Sequence, residues 1–391
     1  MKQDADQTGL PLSPSRRRLA GGLAGFISLA AVGACASRRG RPPSLPTLAS
    51  VSGNSARLRW SEWIGRGGYG FVPAVYDGRL WAGSSNGRLL GLDGQGKRVA
   101  SLDSGVEFSS GVGADGKVLV MTGAEGRLYG LEADGTQRWV VEMGAEAASV
   151  PAVGSGMAIV RLTNSTVAAY DLADGSVRWL YTRRNPTLVL RQTSEIAIDP
   201  TLAYVGLPGG RMVALSLTNG ASRWESGISL PRGSNEIERI ADVVARPVFA
   251  GASICAAAYQ GRVTCLNRET GRAVWSQNLN VGSGADVDSS RMVISDVNSK
   301  LYAFARDGKS LWESDALRGR HLGAPRLLND RVWVGDANGY VHVLDGATGE
   351  VIGRVATDGS QIFSAPVVFE SDGEPGVVVQ TADGMIASIA A

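Results

Sequence analysis

Gly126-Arg-Leu-Tyr-Gly-Leu-Glu-Ala-Asp-Gly-Thr-Gln-Arg-Trp139 decides the fold, because it returns as Gly261-Arg-Val-Thr-Cys-Leu-Asn-Arg-Glu-Thr-Gly-Arg-Ala-Val-Trp275. Each copy reads as a small residue at a turn, a short alternating strand, an acidic or polar turn ending in Gly, and a second strand that carries Trp. The small residue recurs at Gly87, Gly126, Ser165, Gly210, Gly261, Ser299, Gly339 and Gly384, at intervals of 39, 39, 45, 51, 38, 40 and 45 residues. Trp stands four residues after the turn Gly at Trp139, Trp179, Trp224, Trp275 and Trp312, while Ala100 and Gly353 take that place in two copies. A unit of about 40 residues with four short strands is the signature of a propeller blade. An all-β, eight-bladed β-propeller is therefore expected over residues 56–391.

The two ends of the repeat array complement each other. The last copy, Ser364–Ala391, stops before any Trp strand, and Ala56-Arg-Leu-Arg-Trp60 precedes the first copy as an orphan. The N-terminal strand is expected to complete the last blade, closing the ring and removing its exposed edges. Composition agrees with turns and strands: 52 of 391 residues are Gly, and 13 Gly residues follow Asp or Asn, the favoured pairs of tight hairpins. The net charge of +2 sits wholly in the leader, where Lys2, Arg16, Arg17 and Arg18 outnumber Asp4 and Asp6. A neutral body without a basic stripe excludes nucleic acid as a partner.

Arg16–Arg18 precede an apolar run, Leu19–Ala34, that is too short for the roughly 20 residues of a membrane span and reads as a secretory signal. The run ends in Val32-Gly33-Ala34-Cys35, which resembles the lipobox of bacterial lipoproteins; that resemblance implies cleavage before Cys35 and its lipidation. Ser15-Arg16-Arg17-Arg18-Leu19 partly resembles a twin-arginine signal, so Sec and twin-arginine export both remain open. Ala36, in place of Asp, is compatible with sorting to the outer membrane. Residues 35–55, rich in Ser, Pro and Arg, are expected to form a flexible tether.

Catalytic and metal motifs are missing from the chain: the histidines are His321 and His342, and no Cys-x-x-Cys, His-Glu-x-x-His, Gly-x-Ser-x-Gly or P-loop occurs. No catalytic residue, cofactor or metal is expected. Cys255 and Cys265 flank Tyr259-Gln260-Gly261 symmetrically, and read either as a cross-hairpin disulfide or as two buried thiols.

Loop length breaks the repetition. Most Trp residues precede the next anchor by 24 to 27 residues, but Trp179 takes 31 and Trp224 takes 37. Equivalent loops of a propeller emerge on one face, so these two insertions are expected side by side, where binding is commonly placed. The first runs through Arg183, Arg184 and Leu188-Val189-Leu190-Arg191; the second contains Glu236-Ile-Glu-Arg-Ile-Ala-Asp242. Leu188 and Leu190 read as an apolar pair rimmed by Arg191 and Asp242, the composition of a protein-contact hot spot, or else as the opening strand of the next blade with buried leucines.

The lipobox, the PQQ-like and WD-like repeats, Leu188-Val-Leu-Arg191 and the segment ending in Asp242 resemble the BamB family, lipoprotein subunits of the outer-membrane β-barrel assembly machinery. The resemblance implies a non-enzymatic scaffold, lipid-anchored at the outer membrane and facing the periplasm. Its implied partners are the POTRA domains of BamA, other subunits of that machinery and unfolded outer-membrane proteins. The family's contact positions fall on Leu188, Leu190, Arg191 and Asp242, with Val244 where the family carries a second Asp. The blades alone also resemble pyrroloquinoline-quinone dehydrogenases, and a ligand-binding periplasmic lipoprotein is a third class; a quinone absorbance band or a co-purifying partner separates them.

Overall fold

Each repeat folds as the hairpins its turns require. The computed structural model describes residues 45–391 other than 52, 116, 117, 185, 187, 191–193 and 232, and residues 45–391 form one unit. The leader 1–34, Cys35, the first part of the tether and Arg191 lie outside the described residues. Among the described residues the elements are all strands, arranged as eight four-stranded antiparallel sheets. We name the strands of a blade A to D; in blade 1 they are Ala74–Tyr76, Arg79–Gly83, Arg88–Leu92 and Arg98–Asp103.

The eighth blade is assembled from both ends of the chain. Its A to C strands are Val367–Ser371, Glu374–Gln380 and Met385–Ala390, and its D strand is Arg57–Trp63, which pairs antiparallel with Met385–Ala390. Ile64 then enters a core shared with Leu80, Phe369 and Ile386. The expected closure by the N-terminal strand is what the structure contains.

The recurrent Trp joins neighbouring blades. Trp139 Nε1 donates to Leu172 O at 2.9 Å, Trp179 Nε1 to Leu217 O at 2.8 Å and Trp312 Nε1 to Gly346 O at 2.9 Å, each in the next blade. Trp60 of the closing strand does the same to Gly94 O of blade 1 at 3.1 Å. Each indole lies against the C–D turn glycine of the next blade: a Cβ at Gly175 would meet the Trp139 ring at 2.8 Å, and Gly175 has φ +75°. Turn geometry and ring packing thus both select Gly, and the buried ring keeps its polar N–H satisfied. The anchor residues are left-handed too, including Ser165 (φ 76°) and Ser299 (φ 68°), although in blade 5 that conformation passes to Gln260 (φ 48°).

The A strands line an axial channel of about 740 Å³, with Val75, Val153, Val248 and Val368 among its walls. Antiparallel order puts the A–B and C–D turns on one face. The B–C turns and the D-to-A connections share the other, hereafter the loop face.

Blade 7 buries a charged cluster. Asp336 and His342 are fully buried and Arg320 nearly so. Asp336 Oδ2 accepts from Arg320 Nε and Nη2 (2.9 and 2.5 Å) and lies 2.9 Å from His342 Nε2, while His342 Nδ1 accepts from Arg354 Nε at 3.2 Å. These bonds require a neutral ring protonated on Nε2. Burial holds the His342 pKa below 6.5, with Arg354 and Arg320 adding to the effect against Asp336. For Asp336, burial raises the pKa, but bonds from His342, the Tyr340 amide and Arg320 outweigh it and leave the carboxyl below its usual range.

Both shifts act in one direction. As pH falls below about 6.5 the unfolded histidine takes a proton that the folded ring resists, so stability declines, with a slope of up to about 1.4 kcal/mol per pH unit. The lowered Asp336 adds a further loss at more acid pH. Urea unfolding at pH 7.5 and 5.5 is expected to show lower stability at 5.5, with a smaller difference in His342→Gln; an equal pH dependence in both would assign the loss to other groups.

Candidate functional site

The two over-long D-to-A connections, 183–196 and 228–247, leave blades 3 and 4 on the loop face. Leu188 lies outside any strand and is 44% exposed, Val189 is 41% exposed and Leu190 is half-buried. The next strand begins only at Ala197. Leu188 is therefore not part of a buried opening strand, and Leu190 lies between exposed and buried. Arg183 at the base of the loop pairs with Glu225 of blade 4 at 3.1 Å.

The second connection is held by its own polar groups. Glu238 Oε2 accepts from Ser234 N at 2.7 Å, Asn235 Oδ1 accepts from Glu238 N at 2.9 Å, and Arg239 Nε donates to Gly233 O at 3.2 Å. This turn leaves Ile237 67% exposed, and Leu230 is 68% exposed beside it in sequence. Leu230 and Ile237 escaped the sequence reading. The available signal was an apolar residue between two glutamates in a loop without strand periodicity.

Asp242 lies at the foot of both connections. It is 4% exposed, so it is no rim charge. Its Oδ2 accepts from Leu190 N at 2.7 Å and its Oδ1 from Gly209 N at 2.8 Å. One buried carboxylate therefore fastens the first long loop to the second and to a B–C turn of blade 4. Ser194 Oγ, donating to Ala245 O at 2.8 Å, adds a second tie. Val244 is buried, and its amide donates to Ala257 O at 3.1 Å.

Arg161 supplies the nearby positive charge. It is buried at the end of the blade 3 B strand and donates Nη1 to Gly206 O of blade 4 at 3.3 Å. Burial lowers its pKa, and the field of Asp242 opposes that shift. The arrangement is a rigid polar underside carrying four large apolar side chains, Leu188, Val189, Leu230 and Ile237, into solvent. Exposed large apolar side chains over a hydrogen-bonded polar base are the composition of a protein-contact patch.

Cys255 and Cys265 are direct cross-strand partners and form a disulfide with Cα atoms 3.9 Å apart, inside the core of blades 5 and 6. The pair lies within the sheet, in a core cluster that also takes in Ala245 of the second long connection. Among the described residues, no group of three His, Cys, Asp or Glu could hold a metal ion.

A family profile described as "Outer membrane protein assembly factor BamB" matches residues 85–280 and 260–390. The chain is 31% identical over 373 residues to the outer membrane protein assembly factor BamB of Bordetella pertussis, covering 94% of this chain and 96% of that one. The crystal structure of BamB from Moraxella catarrhalis superimposes with a TM-score of 0.78 at 25% identity, covering 85% of this chain and 99% of that one. A quinohemoprotein alcohol dehydrogenase from Pseudomonas putida HK5 shares the propeller, with a TM-score of 0.69 at 15% identity, over 86% of this chain and 76% of that one.

Proposed function

This chain belongs to the BamB family of outer membrane protein assembly factors, and from that premise we propose that it is a non-enzymatic scaffold whose two stapled loops dock on the POTRA domains of BamA. Leu188 and Leu190 supply apolar anchors, Arg191 flanks them, and Asp242 holds the two loops in register from beneath. Leu230 and Ile237 extend the contact. In this reading residues 1–34 are a signal peptide, Cys35 carries the lipid, and the propeller faces the periplasm at the outer membrane. Other subunits of the machinery and unfolded outer-membrane proteins complete the proposed partner set. The observation that carries the reading is the concentration of exposed large apolar side chains on the two connections that a buried carboxylate ties together.

The quinone alternative finds a poor fit. The charged groups lining the axial channel are paired with one another: Asp286 accepts from Leu327 N at 2.8 Å and Arg326 Nη1 at 3.4 Å, and Glu195 lies 3.7 Å from Arg246. A carboxylated quinone with its cation requires free charged groups there, and no redox step is assigned.

The test is recovery of BamA with the full-length chain from detergent-solubilised outer membranes. Leu188→Asp places a charge in the anchor position and is expected to cut recovery by about tenfold or more, with an unchanged melting temperature because Leu188 is exposed. Equal recovery by wild type and variant would remove this loop from the contact. Arg191→Ala, tested beside it, decides the part of that residue.

A further inference from the structure

The chain preceding the closing strand has its own binding site on the propeller. Asn54 pairs with the D strand of blade 7 through its side chain: Oδ1 accepts from Arg354 N at 2.7 Å and Nδ2 donates to Arg354 O at 2.8 Å. Leu48 packs against the core shared by blades 6 and 7. Arg354 Nη1 donates to Ala49 O at 3.1 Å, and Arg320 Nη1 to Pro46 O at 2.9 Å. Both guanidinium groups are braced from behind by the buried His342 and Asp336.

The missing Trp of blade 7 has its cause here. Gly353 occupies the Trp position, and a Cβ there would meet Ser55 Oγ at 3.0 Å and Ala56 Cβ at 3.1 Å. In the blades that carry it the indole packs on the next blade's C–D turn, but blade 8 has no such turn, because its C strand is Met385–Ala390 and its D strand is Arg57–Trp63. The N-terminal strap fills that gap. It then crosses blade 7 to Gly319, on the loop-face connection between blades 6 and 7, where Pro46 lies within reach of a Cβ at Gly319.

We infer that residues 45–51 and 53–56 act as a latch, held by Arg320 and Arg354, that makes the membrane-anchored N-terminal segment leave the propeller from its loop face. The inference rests on the proposed lipidation of Cys35. A buried arginine, aspartate and histidine beside a half-buried second arginine are costly to desolvate, and here the outward-facing N–H groups are spent on strap carbonyls. With the latch closed, ten Cα–Cα steps separate Cys35 from Leu45, a reach of at most about 36 Å. With it open the free chain begins at the edge of blade 8, and its reach doubles to about 75 Å. The latch therefore turns the loop face, with its docking loops, toward the bilayer, and the ligand it presents the protein to is a lipid surface.

The experiment uses full-length lipidated protein on phosphatidylethanolamine vesicles containing a nitroxide headgroup quencher. A dye is placed by Glu125→Cys in a loop-face turn or by Asp134→Cys in the opposite-face turn of the same blade. Quenching is expected to be several-fold greater at position 125. In Leu48→Ser/Asn54→Ala, which alters strap residues alone, the difference is expected to vanish, and the Ser55 amide, bonded to Ile352 O at 3.4 Å, to lose protection from hydrogen exchange. Equal quenching at both positions in wild type, or a difference that survives release of the strap, overturns the latch. Wild-type protein that fails to float with the vesicles overturns the anchor reading itself, a result separable from floating protein with equal quenching.

Discussion

A chain lacking residues 1–64 is expected not to accumulate as a folded monomer, whereas one lacking 1–44 melts close to the full-length protein. The difference is the closing strand. Arg57–Trp63 pairs with Met385–Ala390 over six residue pairs, from Arg57 with Ala390 to Trp63 with Met385. Without it, a strand containing Ile386 and Ile389 becomes an open apolar edge, the form that invites association with a second chain. Two interior side chains leave as well. Trp60 spans to blade 1 through its bond to Gly94, and Ile64 is 1% exposed in the core shared with Leu80 and Phe369. Losing a buried Ile costs about 2–5 kcal/mol and a Trp about 3–5, together comparable with the 5–15 kcal/mol that holds a typical domain. Size-exclusion chromatography and thermal unfolding of both truncations decide the matter; a monomer lacking 1–64 with the melting temperature of the other would show that the ring stands without closure.

Replacing Asp242 by Ala is expected to abolish most BamA recovery although the side chain is hidden from any partner. The carboxylate is the acceptor for two amides, Leu190 N and Gly209 N. Its loss leaves both donors without a partner in a buried site, at about 1–3 kcal/mol each, which the first loop can relieve only by moving away from the second. Leu190 and its neighbours would then lose the position in which they present a common surface, and affinity that depends on preorganised anchors falls. Recovery is expected to drop about tenfold or more. Asp242→Asn, which retains one acceptor oxygen, falls between. The strands of blades 4 and 5 keep their ladders, so circular dichroism remains that of wild type. Undiminished recovery with Asp242→Ala would mean that the loops bind independently of their mutual placement.

Asp242 also marks the limit of the sequence. Position and chemistry singled it out, but a carboxylate at the end of a charged segment reads as a rim residue, and its burial depends on Leu190 and Gly209, 52 and 33 residues away. The same holds for His342, which is fully buried in the third strand of blade 7. Its bonds to Asp336 and Arg354 arise because B–C turn and D strand converge on the same blade interior. Cys255 and Cys265 were placed on one hairpin by spacing alone, yet only the register makes them direct partners.

By itself the sequence determined the ring: eight repeats, closure by Trp60 and its strand, glycines where turns and indoles require them, and two adjacent insertions. These follow from periodicity, because every blade meets the same local demand and repeats the same answer. The tertiary structure alone decided what is not repeated. That includes the carboxylate that joins two loops, the exposure of Leu230 and Ile237, and the strap that occupies the space of an absent Trp at Gly353. Each depends on contacts between segments far apart in the chain, and a pattern read along one dimension carries no record of which distant groups will meet.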